Sequence, residues 1–102
     1  MQVCALLVAD QAVSVDVAIL GTNGFSVRRG MTTPDQAEAV AKRAMVAAGR
    51  RCVVLADSSK AELVHFHRFA ELDDVALLIT DRRLDEETAE RLEASGTDVV
   101  RA

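Results

Sequence analysis

A short β-branched run, Val15–Leu20, is followed by a helix-patterned segment from Pro34 to Ala48 and then by the apolar run Cys52–Ala56. This order constrains the chain more than any other feature. Two apolar strands joined through a helix lie parallel, with the helix crossing over the sheet. A further apolar run, Val75–Thr80, a helical segment at about 86–95 and the closing Asp98–Ala102 repeat the alternation. The expected class is α/β, a mostly parallel sheet flanked by helices. At 102 residues, one domain spanning 1–102 is the expected count.

Local signals place the boundaries. Thr33 is the expected N-cap of the first helix, Pro34 takes the first helical position, and Gln36 completes a T-x-x-Q capping box. Ala37, Val40, Ala41, Ala44, Met45 and Ala48 form the expected apolar stripe, and Gly49 the stop. Cys52–Ala56 is apolar throughout, as in a strand buried on both faces. Asp85 is the expected cap of the second helix, Leu84 and Ala89 its staple, and Gly96 its end. The first 14 residues fit a strand or a helix, because a short apolar run does not fix the period.

Composition excludes several classes. Half the residues are hydrophobic and 27% are charged, a globular balance. No run approaches the roughly 18 apolar residues of a membrane span. Met1–Asp10 lacks a basic leader and a small-residue cleavage pattern. A cytoplasmic protein without membrane contact is expected. The net charge of −4 and the lack of Trp and Tyr argue against a nucleic-acid surface on this chain. Cys4 and Cys52 lie in separate apolar runs and read as buried hydrophobes, not as a disulfide.

In a parallel sheet every strand ends on one edge, and ligands bind there. The first strand runs into Gly21-Thr22-Asn23-Gly24, the second into Asp57-Ser58-Ser59-Lys60, the third into Thr80-Asp81. The helix opening at Pro34, preceded by Gly30–Thr33, adds free backbone N–H groups and a positive dipole end. Glycines, hydroxyls, helix amides and an ammonium together suit a phosphate or a polyhydroxylated anion. Each cluster alone is also ordinary turn chemistry; three on one edge point to a site.

Other candidates have simpler readings. Glu38 and Lys42 stand one helical turn apart, as an i,i+4 pair does. His65 and His67 share a face if extended, yet no third ligand has suitable spacing, so no metal is expected. Ser58 and Ser59 lack a nucleophile elbow and a paired histidine. Asp57 and its lysine lack the further acidic pair of a phosphoacceptor receiver. The pairs Arg28-Arg29, Arg50-Arg51 and Arg82-Arg83 read as solvated flanks, the first of them nearest the anion site.

VDVAILGTNGFSVRRGMTTPDQAEAVAKRAMVAAGRRCVVLADSSK, with the later RFAELDDVALLITD and the closing helix and strand, resembles the C-terminal sensor domain of DeoR-family transcriptional regulators. The likeness runs from Val15 to Ala102. It implies a partial ribose-5-phosphate isomerase-like α/β/α sandwich that binds a phosphorylated sugar or related metabolite, without a cofactor. It also implies that DNA is reached only through an N-terminal helix-turn-helix, absent from this stretch, usually in a repressor of sugar metabolism genes. The early part of the sensor domain, with its glycine/serine phosphate loop, is absent as well. By position the family places Lys60 on the anionic group, with Thr22, Asn23, Thr32, Thr33 and Lys42 lining the pocket. Adding the strand-end clusters gives Gly21, Thr22, Asn23, Gly24, Thr32, Thr33, Lys42, Asp57, Ser59 and Lys60 as the candidate ligand-binding set. Ala61 and Glu62 stand where the family usually has an aromatic and a glycine.

The isomerase relatives move a proton with carboxylates at the sheet edge. The resemblance puts Asn23 and Lys42 at the positions expected to hold them, so each replacement removes a base and keeps a polar contact. Binding without catalysis is the expectation, since a fold alone confers no chemistry. An oligomerisation or interaction module, with an exposed edge and apolar face covered by a second copy, is the alternative; a homo-oligomer is expected. An isomerase-like enzyme retaining Asp57 is the weaker third reading.

Overall fold

A computed structural model describes residues 15–102; the first 14, including Cys4 and the segment of ambiguous period, lie outside the described residues. The elements are β1 (Val15–Gly21), β2 (Gly24–Ser26), β3 (Gly30–Thr33), α1 (Gln36–Ala48), β4 (Gly49–Leu55), β5 (His67–Ala70), β6 (Leu77–Thr80), α2 (Glu86–Ala94) and β7 (Asp98–Arg101). Short 3-10 turns occupy Ser58–Lys60 and Leu72–Asp74.

β1, β4, β6 and β7 form a parallel sheet in the order β1-β4-β6-β7, the expected α/β arrangement. Ala18 stands opposite Cys52, Leu20 opposite Val54, and Val54 opposite Leu78. These residues are buried on one face of the sheet and share a core with Ala39 and Met45 of α1 and Ala89 and Leu92 of α2. The alternate residues are mixed: Val53 is buried, whereas Val17, Ile19, Leu55 and Val100 are 45% to 50% exposed. The expectation that Cys52–Ala56 is buried on both faces is therefore corrected at Leu55. An unbroken apolar run fits a strand covered on both sides, but it does not supply the cover.

Between β1 and the first helix the chain forms a hairpin. β2 pairs antiparallel with β3, and β3 with β5, giving a second, three-stranded sheet ordered β2-β3-β5. Phe25, Met31 and Phe69 carry it into the common core. Its strands have three to four residues, too short for alternation to be visible in sequence.

Pairing also moves the helix cap. Thr33 is opposite His67 in the β3–β5 ladder, so it is a strand residue. Asp35 takes the cap, its carboxylate accepting from the amides of Ala37 and Glu38. The buried side of α1 shifts with it, to Ala39, Lys42 and Met45, while Ala37 is exposed and Val40 is 55% exposed. Alanines on every side of this helix blur its periodicity, and the charged Lys42 hides the true inner face. Gly49 does end α1, with an extended backbone (φ −82°) that continues directly into β4. A Cβ there would lie 2.8 Å from that of Ala18, so close strand packing explains this glycine and a left-handed cap does not. The second helix follows the sequence signals: Asp85 caps it through the Thr88 amide, and Gly96 has φ +108° just beyond its end.

After the Ser58–Lys60 turn the chain reverses at Glu62, whose φ is +63°. Its amide donates to the Phe25 carbonyl at 2.7 Å, which fixes the reversal against β2. A left-handed conformation costs a side-chain-bearing residue about 1–2 kcal/mol. Glycine removes that cost, though it adds freedom to the unfolded chain. Glu62→Gly is expected to raise stability by about 0.5–1 kcal/mol. Urea denaturation checks this, and an unchanged or lower midpoint would show that the backbone at 62 bears no such strain.

Candidate functional site

The carboxyl ends of β4 and β6 are joined by a carboxylate. Asp81, just past β6, accepts from the Ser58 amide at 2.9 Å through one oxygen and from the Arg83 amide at 2.9 Å through the other. Asp57, just past β4, caps the following turn by accepting from the Ser59 amide at 2.8 Å. The Ser59 amide holds the Asp57 carboxyl below the usual value, as the Ser58 amide does for Asp81. The two carboxylates repel each other, while the Lys60 ammonium favours ionised Asp57. Two ionised carboxylates and one ammonium thus share this part of the rim.

The end of β1 is tied to α1 by Lys42. Its side chain is only 3% exposed, and its Nζ donates to the Gly21 carbonyl at 2.9 Å and meets Glu38 Oε1 at 2.8 Å. The ammonium also lies 5.1 Å from the Phe69 ring centroid. A buried ammonium is tolerated only when its donors are used, and here a carbonyl, a carboxylate and a ring face surround it. The i,i+4 pair read from sequence is present, but it faces inward.

Beyond Gly21 the Thr22 hydroxyl bonds within the turn, donating to the Gly24 carbonyl at 2.8 Å. Gly24 itself packs so closely that a Cβ would meet the Leu63 carbonyl oxygen at 2.3 Å. The segment after Lys60 therefore lies directly on the hairpin. Ala61 bridges to Phe25, the His65 amide donates to Thr32 Oγ1 at 3.0 Å, and His65 Nε2 lies 3.1 Å from the Asn23 carbonyl. His65 was weighed in sequence only as a metal ligand; its observed contacts clamp two turns together.

The start of α1 differs from the sequence expectation. Asp35 already occupies two of the helix amides and puts a negative charge at the positive end of the dipole. The Thr33 hydroxyl accepts from the Asp35 amide at 3.4 Å. A free amide cradle for a ligand anion is thus replaced by an internal cap.

A family model described as the DeoR C terminal sensor domain matches residues 7–82. The chain belongs to the DeoR C-terminal sensor domain family. It is 41% identical over 85 residues to the HTH-type transcriptional regulator GlpR of Haloferax volcanii, covering 83% of this chain and 33% of that protein. It is 33% identical over 86 residues to the HTH-type transcriptional repressor GlcR of Bacillus subtilis, covering 84% of this chain and 33% of the relative. The chain spans about a third of the length of these relatives. The family and these relatives are named as transcriptional regulators, not as enzymes. Among the described residues no helix is long and apolar enough to cross a membrane.

Within this DeoR-type sensor domain the candidate residues divide by accessibility. Thr32, Thr33 and Lys42 are buried, and Gly24 is buried under the 61–65 segment. Gly21, Thr22, Asn23 and Lys60 are partly exposed, and Asp57 and Ser59 are exposed. The Ala61–Phe25 bridge and the pairing of Gly24 with Thr32 bring Lys60 and the GTNG turn to the same side of the hairpin. Asp81 was read only as part of a strand-end cluster; its contact with Ser58 makes it the link between two strand ends.

Two outcomes follow for the DeoR-type domain. Lys42→Met leaves the Gly21 carbonyl without its ammonium donor and is expected to cost about 1–3 kcal/mol by urea denaturation. A cost near zero would mean that the ammonium contributes nothing to joining α1 to β1. The second concerns acid. Asp57, Asp81 and Asp85 all have folded values below the ordinary 3.8. Their contribution to stability is complete above that value and is lost as pH falls through the lower folded values. Melting temperature should therefore fall as the pH is taken below the ordinary carboxyl value of 3.8, and Asp81→Asn should show a shallower drop. An identical acid profile in the variant would exclude Asp81 from this effect.

Proposed function

We propose that this chain is the effector-sensing domain of a DeoR-type transcriptional regulator, a repressor of sugar metabolism genes, and that it binds a phosphorylated sugar at the carboxyl edge of its sheet. The observation that carries this reading is the mixed charge at the accessible strand ends: the Lys60 and Asp81 charges both act on Asp57, which is held by the Ser59 amide, and the aligned ends of β1, β4 and β6 lead into Thr22-Asn23, Asp57 and Asp81. An ammonium receives a phosphate, and ionised carboxylates accept from sugar hydroxyls. One ligand that combines both groups matches the set better than a bare anion, which the two carboxylates would repel.

In this reading Gly21, Thr22, Asn23, Asp57, Ser59 and Lys60 meet the ligand. Gly24, Thr32, Thr33 and Lys42 hold the turns in place from below. Occupation of the rim biases the arrangement of the GTNG and DSSK turns. A helix-turn-helix elsewhere in the regulator reads that bias as a change in DNA affinity. The names GlpR and GlcR belong to regulators with helix-turn-helix segments, and DNA is reached through such a segment. Residues 1–102 act as one sensor domain.

A second reading has its own observation. Val17, Ile19, Leu55 and Val100 leave one sheet face substantially apolar and exposed, which suits an oligomerisation surface. This is compatible with sensing, and a homo-oligomer is the assembly it favours.

A thermal-shift series with sugar phosphates and their unphosphorylated parents tests the first reading. A phosphorylated sugar is expected to raise the melting temperature, and its parent sugar is not. Lys60→Ala should weaken the response about tenfold or more in ligand concentration. Equal responses to both sugar forms, or a response unaffected by Lys60→Ala, would overturn the assignment.

A further inference from the structure

A second concave surface lies on the far edge of the small sheet. β5 is two strands away from β2, against which Ala61 sits. Next to β5 is a hollow of about 430 Å³ lined by Arg29, Arg43, Phe66, His67 and Arg68. Its volume lies within the usual range for small-molecule pockets. The lining contains three guanidiniums, an imidazole and an aromatic ring, without a carboxylate among the described residues, in a chain whose net charge is −4.

The guanidiniums are poorly neutralised. Arg29 has no ion pair among the described residues, and Arg68 reaches Glu71 only at 4.0 Å. Arg43 is oriented: its Nε and Nη2 both donate to the Arg68 carbonyl, at 3.1 and 2.8 Å. That fork fixes the plane of the guanidinium and leaves Nη1 for another acceptor. The adjoining hollow of about 230 Å³ shares Arg29 and Arg68 but contains Glu71 and Asp73, so an anion is favoured in the larger one.

Phe66 supplies the other half of the chemistry. It is 84% exposed, and its one ring contact among the described residues is edge-on with His67 at 4.8 Å and 87°. A phenyl ring left in water on a hollow that Arg43 also lines offers a surface for a flat, unsaturated group. The site therefore combines recognition of a compact anionic head with stacking of a planar body.

We propose that the Arg29–Arg43–Arg68 hollow is a second ligand site, distinct from the strand-end rim, for a nucleotide-type ligand. Arg43 and its neighbours hold the phosphates and Phe66 stacks on the base. The proposal is independent of the sugar-phosphate reading.

Isothermal titration of the full chain with ADP and with inorganic pyrophosphate tests it. ADP is expected to bind on the order of tenfold more tightly than pyrophosphate because of the stacked base. Phe66→Ala should remove that difference and leave pyrophosphate binding in place. Arg29→Ala, at a side chain without an ion pair among the described residues, should weaken both ligands about tenfold. Both affinities should fall as salt is raised. No binding of either ligand at millimolar concentration would overturn the proposal. So would equal affinities unaffected by Phe66→Ala, or ADP binding that is lost in Lys60→Ala and kept in Phe66→Ala. Phe66→Ala should leave the sugar-phosphate response intact, so failure at one site is readable apart from failure at the other.

Discussion

The buried ammonium of Lys42 joins the two parts of the molecule on which the rim depends. It fastens the end of β1 to the middle of α1 through the Gly21 carbonyl, is paired within α1 by Glu38, and lies against the Phe69 ring of the small sheet. A charge in such a place is stable only while all its partners are present. The helix, the first strand end and the β5 strand are thereby held in one relative position. The turn that begins at Gly21 starts from a fixed point.

From that point the rim is assembled by backbone groups more than by side-chain pairs. Asp81 holds the Ser58 amide, the Phe25 carbonyl holds Glu62, and the Thr32 hydroxyl holds His65. Each contact spans a long sequence separation, from a strand or its end to a turn segment. The accessible polar groups are consequently presented on a stiff frame, and the buried threonines serve the frame. Asp35 serves it as well, since its carboxylate takes over the helix amides that could have received a ligand.

This arrangement suits recognition better than proton transfer. The two rim carboxylates are held ionised by backbone amides, whereas a general acid or base works best with a value near the operating pH. Membership of a regulator family agrees with that chemistry.

The sequence by itself determined the alternation of strands and helices, the parallel pairing, the second helix with its Asp85 cap, and the strand-end positions of Asp57, Lys60 and Asp81. Those features are local: burial, capping and turn chemistry are written in neighbouring residues. Only tertiary structure decided that Thr33 belongs to a strand, because its partner His67 lies far along the chain. The same holds for the inward turn of Lys42, whose acceptor is a carbonyl on another element, and for Glu62, whose left-handed backbone donates to the Phe25 carbonyl. It holds too for Arg29, Arg43 and Arg68, which are scattered in sequence and gather around one hollow only when β3, β5 and α1 pack. Contacts between distant residues leave no periodic trace, so their chemistry becomes visible only once the chain is folded.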